Sequence, residues 1–577
     1  MNIFKRKPLD VLLKEAGDTE KGLKKSFTSF SLIALGLGAI IGAGLFSITG
    51  MAAANFAGPA IMISFVIAAI GCAFAGLCYA EFASIIPVAG SAYTYSYATM
   101  GEFIAWIIGW DLVLEYAVGA ATVASSWSGY LSELFKSFGV NLPPHLLAGP
   151  FEQLKLADGS VITGMINLPA VFIVTIMSMV LIRGTSQSRW VNNIIVVLKV
   201  TIVVVFIVLG MKFIRPENLT PFIPENTGTF GKFGFSGIIR AAAIVFFAYI
   251  GFDAVSTAAQ ETKNPKVAMP IGILGSLIIT TILYILFAYV LVGVTHYLNY
   301  NDAEGGSSLA PIAIAIEHMG EWHNGKIVPA YPWLNTSIIV AILLGYSSVI
   351  LVMLLGQSRV FYTMSKDGLV PKLFSTLHPR FRTPYISNIV FLVLIASFAA
   401  FIPGHVVGEM TSIGTLFAFI LVCIGILVMR KTMPEAPRAF RVPFVPLIPI
   451  LGVVVCLFMM VFLPYDTWIR LIVWMLIGMD IYLLYGMKHS KINDGRILEN
   501  KGGLHTVHAV DWGSIKRVGW VSIGMCLLLL VLTLVHQYQY PGEELSLYYF
   551  SLMFGGFHMI LFAAVMVKNY NKLVRNN

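Results

Sequence analysis

The chain has 577 residues, of which 57% are hydrophobic and 12% charged, with a formal net charge of +9 from 38 Lys and Arg against 29 Asp and Glu. Soluble proteins carry roughly 25% charged residues, so this composition excludes a string of water-soluble domains and puts most side chains against lipid. The basic excess on its own does not argue for nucleic acid, because in a membrane protein it usually serves orientation and its distribution decides.

Met1 to Phe30 is polar, holds seven Lys/Arg and lacks an apolar stretch ending at a small-residue cleavage site, so residues 1–28 read as a cytoplasmic segment. The first apolar helix is then the insertion signal. A membrane-spanning helix needs about 20 mostly apolar residues. Runs of this kind lie at 29–53, 60–86, 102–132, 167–182, 190–213, 235–259 and 269–297. A second set lies at 336–364, 386–402, 408–429, 445–464, 467–487, 518–536 and 545–567, giving fourteen expected spans. With the N-terminus inside, 29 of the 38 basic residues fall on the cytoplasmic side and seven outside, while Lys199 and Arg240 lie within spans. That asymmetry supports cytoplasmic termini, with 568–577 as the tail, and leaves no indication of nucleic acid. The longest polar connections, 133–166 and 298–335, are too short for a typical independent domain.

The first span contains Gly36-Leu37-Gly38-Ala39-Ile40-Ile41-Gly42-Ala43-Gly44-Leu45-Phe46, with four glycines in nine positions. One reading is close helix packing through small residues. A dinucleotide fingerprint is weaker, since Ile41 stands where its third glycine should be and no strand precedes it. The other reading is an unwound helix. Unwinding at mid-membrane frees carbonyls on one half-helix and N–H groups on the next, and neither can face lipid. An amino acid zwitterion satisfies both ends, its ammonium on the carbonyls and its carboxylate on the N–H groups. Five spans later, Phe246-Phe247-Ala248-Tyr249-Ile250-Gly251-Phe252-Asp253 repeats the interruption, with a glycine and a carboxylate in an apolar run. Paired breaks in corresponding helices of two halves are the sequence mark of a transporter site. An offset of five spans gives the halves opposite membrane topology.

Ionisable residues in the spans each need a partner or a task. Lys199, ten residues into the fifth span, is read either as part of a structural ion pair, or as a proton carrier or fixed cation in place of sodium. Asp111 and Glu115 are one turn apart in the third span, and two neighbouring carboxylates repel unless one is protonated or paired. Glu115 is therefore a proton or cation site, with a structural hydrogen-bonding role as the equal alternative. Asp253 is a candidate cap for the resumed half of span 6, Arg240 a candidate partner for an acidic gate residue, and Glu81 a structural residue. Ser347 and Ser348 face either a pocket or their own backbone, the latter being the commoner arrangement. The five cysteines, Cys72, Cys78, Cys423, Cys456 and Cys526, form no CxxC pair, and no HExxH, P-loop or His/Cys cluster occurs. No metal, cofactor or enzymatic constellation is expected.

The stretches Gly38 to Phe46, Pro87-Val88-Ala89-Gly90-Ser91-Ala92-Tyr93, Trp110 to Tyr116, Phe246 to Thr257 with Glu261-Thr262-Lys263-Asn264-Pro265, and Arg359 to Pro371 resemble the amino acid–polyamine–organocation (APC) superfamily. The resemblance is to its cationic amino acid transporter branch and the bacterial homologues of that branch. It implies an all-α membrane protein of leucine-transporter (LeuT-like) fold: inverted five-helix repeats over 29–213 and 235–429, then additional helices 11–14 over 445–567. It implies substrate contacts by Ile40, Gly42, Ala43, Gly44, Phe247, Ala248 and Ile250, and by Glu115, which matches the branch's glutamate. Lys199 matches a lysine that stands in for sodium, which implies proton coupling. The expectation is a proton-coupled amino acid permease of the cell membrane, working by alternating access. The alternatives are a proton-independent exchanger and a non-transporting amino acid sensor.

Overall fold

The computed structural model describes residues 3–12, 27–86, 90–155, 160–183, 188–301, 311–323, 326–381, 383–492, 512–539 and 545–576. Pro87, Val88 and Ala89 of one motif lie outside the described residues, as do 13–26 of the N-terminal segment.

Every apolar run carries helix. The first, α1, starts at Ser29 with a capping box: the Ser31 N–H donates to the Thr28 hydroxyl oxygen and the Ser31 hydroxyl oxygen accepts from the Thr28 N–H. It runs to Ile40, breaks at 41–43, and resumes through π- and α-helical turns over 44–57. Then come α2 (Ile61–Ile85), α3 (Glu102–Ser137), α4 (Leu168–Arg183) and α5 (Ser188–Gly210). The sixth helix, α6, runs Gly234–Val245, tightens to a 3₁₀ turn at Phe246–Tyr249, breaks, and resumes as a 3₁₀ helix over Asp253–Glu261. Prolines open α7 (Pro265–Val294) and α8 (Pro332–Lys366) at the first turn, where a missing N–H costs nothing. The remainder are α9 (Tyr385–Phe401), α10 (Gly404–Thr432), α11 (Leu447–Val461), α12 (Tyr465–His489), α13 (Trp512–Gln539) and α14 (Leu545–Asn576).

Among the described residues, ten helices are long and apolar enough to cross a membrane, counting Gly44–Ile85 as one, and Ser29–Ile40, α4, α9 and α11 are shorter apolar helices. The chain is a helical, multi-pass integral membrane protein. Two antiparallel hairpins interrupt the helices in the two longest connections: β1 (Gln153–Lys155) with β2 (Val161–Thr163), and β3 (Gly320–His323) with β4 (Lys326–Pro329). A short buried helix, Ser91–Thr99, lies between α2 and α3, in a stretch outside the expected spans. Its Tyr-rich run is too short and polar to register as a span.

The apolar window of α6 is 94% buried and that of α3 83%, against 33% for α13 and 22% for α14. The helices that carry Asp111, Glu115 and Asp253 thus form the centre, and the last two are peripheral. A Trp106–Trp110–Trp474 stack joins α3 to α12, with the indole N–H groups of Trp106 and Trp110 donating to the carbonyls of Gly478 and Trp474. On the side where α3 begins, residues 3–12 form a strap. Lys7 is held there by Asp367 at 2.8 Å, and Asp367 also accepts from the Tyr93 hydroxyl. Phe27, just before α1, bridges to Thr262, just after α6, on that same strap side.

Candidate functional site

The breaks in α1 and α6 meet. A Cβ on Gly44 would lie 2.2 Å from the Ala248 Cα, so only glycine allows this approach of the two backbones. Gly251 has φ +113°, where a side chain is strained, and its Cα faces the Ala39 backbone. Ile40, Ala43, Phe247, Ala248 and Ile250 are all buried, and Gly42 packs against Val349 of α8. Ile41 is extended (ψ 106°) and ends the first half-helix, leaving the terminal carbonyls of that half without helical partners.

Two side chains reach those carbonyls. Lys199 Nζ, fully buried on α5, donates to Gly38 at 2.8 Å and Ile41 at 3.0 Å. Among the described residues no carboxylate lies within ion-pair distance of it, so its partners are the negative end of a half-helix and not an acid. The Tyr284 hydroxyl on α7 lies 2.9 Å from the Ile40 carbonyl and 2.8 Å from that of Ala248. Having one proton, it donates to one at a time and so links the two breaks. On the far side Tyr130 donates to the Phe46 carbonyl at 2.6 Å, and Ser47 pairs with Tyr346 at 2.9 Å.

Glu115 sits in a π-helical turn of α3, Leu114–Val118, which re-aims side chains relative to an α-helix. It neighbours Asp253, whose other oxygen accepts from the Tyr116 hydroxyl. Both Glu115 oxygens, both Asp111 oxygens and Asp253 Oδ1 are buried with no hydrogen-bond partner among the described residues. Phe252, not Asp253, occupies the cap position of the resumed half-helix, and no side chain caps it.

Other sequence candidates have structural partners. Glu81 is fully buried, bound by Arg430 at 2.7 Å, Arg438 at 3.2 Å and the Val442 N–H. Among the described residues Arg240 makes no ion pair; its guanidinium lies 4.6 Å from the Phe56 ring centre. The acid that acts electrostatically on it, Glu409, is already held by Thr467 and Arg470. Ser347 and Ser348 bond their own helix at Leu343 and Gly345.

A family model described as "Amino acid permease" matches residues 27–480. The chain belongs to the amino acid permease family. Its relatives include a methylthioribose transporter of Bacillus subtilis, 39% identical over 85% of this chain and 99% of that protein. A branched-chain amino acid permease of the same organism is 41% identical over the same shares. Cationic amino acid transporter 4 of Mus musculus is 32% identical over 74% of this chain and 63% of its own. The permease is accordingly not an enzyme, in keeping with the sequence reading. Its family match ends inside α12, so α13 and α14 lie beyond it. The sequence reading found the glycines, Lys199 and Glu115, but not Tyr284, Tyr116 or Tyr130. The one available signal was a tyrosine inside an apolar run, which core tyrosines share.

Proposed function

We propose that this permease imports amino acids across the cell membrane in company with protons, by alternating access to a site between the breaks of α1 and α6. The supporting observation is the meeting of two broken helices whose freed carbonyls are read by a buried lysine and a shared tyrosine hydroxyl. In this reading Gly42, Ala43 and Gly44 offer N–H groups to the substrate carboxylate, and carbonyls of Ile40, Phe247, Ala248 and Ile250 surround its ammonium. Both termini are cytoplasmic, and 29–213 and 235–429 act as two inverted repeats with Lys199 as a fixed cation. Glu115 takes up the proton beside Asp253, and contacts the substrate as the helices close.

The relatives' names span branched-chain and cationic amino acids, which share only the amino acid backbone, and a half-helix pair reads that backbone. The relative named for methylthioribose, a compound without that backbone, supports a second reading in which the site takes a neutral polyol. Purified protein in liposomes tests both. The permease is expected to accumulate an amino acid when the outside is acidic, and Lys199→Met is expected to remove the effect of the gradient while retaining fold. Uptake indifferent to the gradient but dependent on internal counter-substrate would replace import by exchange. Accumulation of methylthioribose alone would favour the second reading.

A further inference from the structure

The Glu115–Asp253 pair is enclosed, so a proton arriving there needs a way out. Asp253 opens a 3₁₀ helix in which residues three apart eclipse one another. Ser256 therefore lies directly beneath it, one turn nearer Thr262 and the strap side. Ser256 is fully buried and its hydroxyl has no close hydrogen-bond partner among the described residues. The hydroxyl beside it belongs to Tyr95 of the short helix Ser91–Thr99, is also buried, and has no close hydrogen-bond partner among the described residues. The Tyr95 ring is stacked on Phe82 at 5.0 Å and lies edge-on to Tyr79 at 6.3 Å. Four residues earlier, on the same face of that helix, Ser91 carries another buried hydroxyl with no hydrogen-bond partner among the described residues. Buried polar groups are normally paired, and this succession of hydroxyls, without close partners among the described residues, runs from one carboxyl toward one side of the molecule.

We infer that Ser256, Tyr95 and Ser91 form a relay that carries the proton from Asp253 to the cytoplasmic side; the inference rests on the proton-coupled reading above. Glu115 passes the proton it has taken up to Asp253, the Asp253 O–H bond then breaks as the Ser256 oxygen accepts that proton, and Ser256 passes its own proton to Tyr95. Tyr95 does the same toward Ser91, and Ser91 gives its proton to water on the cytoplasmic side, with water closing the gaps between hydroxyls. Each event moves one proton and leaves Asp253 ionised, with every hydroxyl restored. The groups facing the carboxyl pair are Asp111, Tyr79 and Tyr116, and among the described residues no Lys or Arg lies within ion-pair distance of either acid. No fixed cation therefore holds the proton's destination at the pair itself.

Net uptake requires the proton to leave, whereas exchange of labelled for unlabelled substrate by the loaded carrier does not. The test compares both rates in proteoliposomes, using the standard amino acid that gives the largest wild-type uptake. Tyr95→Phe and Ser256→Ala are expected to cut gradient-driven net uptake about tenfold while leaving exchange within about twofold, and Ser256→Thr, which keeps the hydroxyl, to restore net uptake. Unchanged net uptake in both variants would overturn the relay, as would exchange falling in parallel with it. A wild-type protein whose net uptake ignores the gradient would instead overturn proton coupling, whatever the variants do.

Discussion

Lys199 and Tyr284 do for the broken helix what solvent would do for an exposed one: they give hydrogen bonds to carbonyls left over where it ends. Tyr284→Phe keeps the ring and removes the donor shared by Ile40 and Ala248. A buried acceptor left unpaired costs about 1–3 kcal/mol, so this variant is expected to lose thermal stability and to bind substrate more weakly. Unchanged unfolding and binding would mean that the hydroxyl is dispensable. Gly44→Val is expected to be more severe, because its Cβ would start 2.2 Å from the Ala248 Cα. Substrate-induced stabilisation in a thermal unfolding assay should vanish, and its persistence would show that α1 and α6 separate freely at that point. The glycines and Lys199 were legible because each is improbable at the middle of an apolar helix. Tyr284 was not, since what singles it out is the arrangement of two breaks far away in sequence.

Among elements, the clasp at Glu81 illustrates how the ends of helices are fixed outside the site. One buried carboxylate ties α2 to the end of α10 and to the connection into α11 through Arg430, Arg438 and the Val442 N–H. Removing one partner of a buried pair costs about 3–5 kcal/mol because the other charges stay buried. Glu81→Ala is therefore expected to lower the unfolding temperature far more than Glu133→Ala, which removes an exposed pair with Lys136. Equal shifts would contradict the clasp. The lengths and order of the long helices were readable from hydropathy, since a run that must cross lipid has little sequence freedom. The short helix Ser91–Thr99 was not readable, nor was the 3₁₀ geometry that aligns Asp253 with Ser256. Both are set by what packs around them and not by their own composition.

The molecule as a whole is a densely buried centre, α3 and α6, with an outer pair, α13 and α14, attached through α12. His558 of α14 pairs with Asp480 of α12 at 2.8 Å, and a Cβ on Gly519 of α13 would press on Phe562 of α14. Among the described residues, both helices pack mainly on α12 and on each other. A chain ending at residue 511 is expected to bind substrate within about threefold of the full chain, under 1 kcal/mol, with reduced thermal stability as its larger loss. A collapse of affinity in a folded truncation would place part of the site in these helices. The net charge of +9 belongs to this scale as well, since in the proposed topology most basic residues lie on one side of the membrane and the site is left to a few enclosed groups.

The central claim is that two half-helices read the amino acid backbone, and it is tested most directly by altering that backbone. The standard amino acid that most stabilises the purified protein would be compared in binding with its N-acetyl and its amide derivatives, which remove the ammonium and the carboxylate in turn. A charged hydrogen-bonding group is worth about 1.5–3 kcal/mol, so each derivative is expected to bind at least tenfold more weakly. Equal affinity for all three would contradict the account.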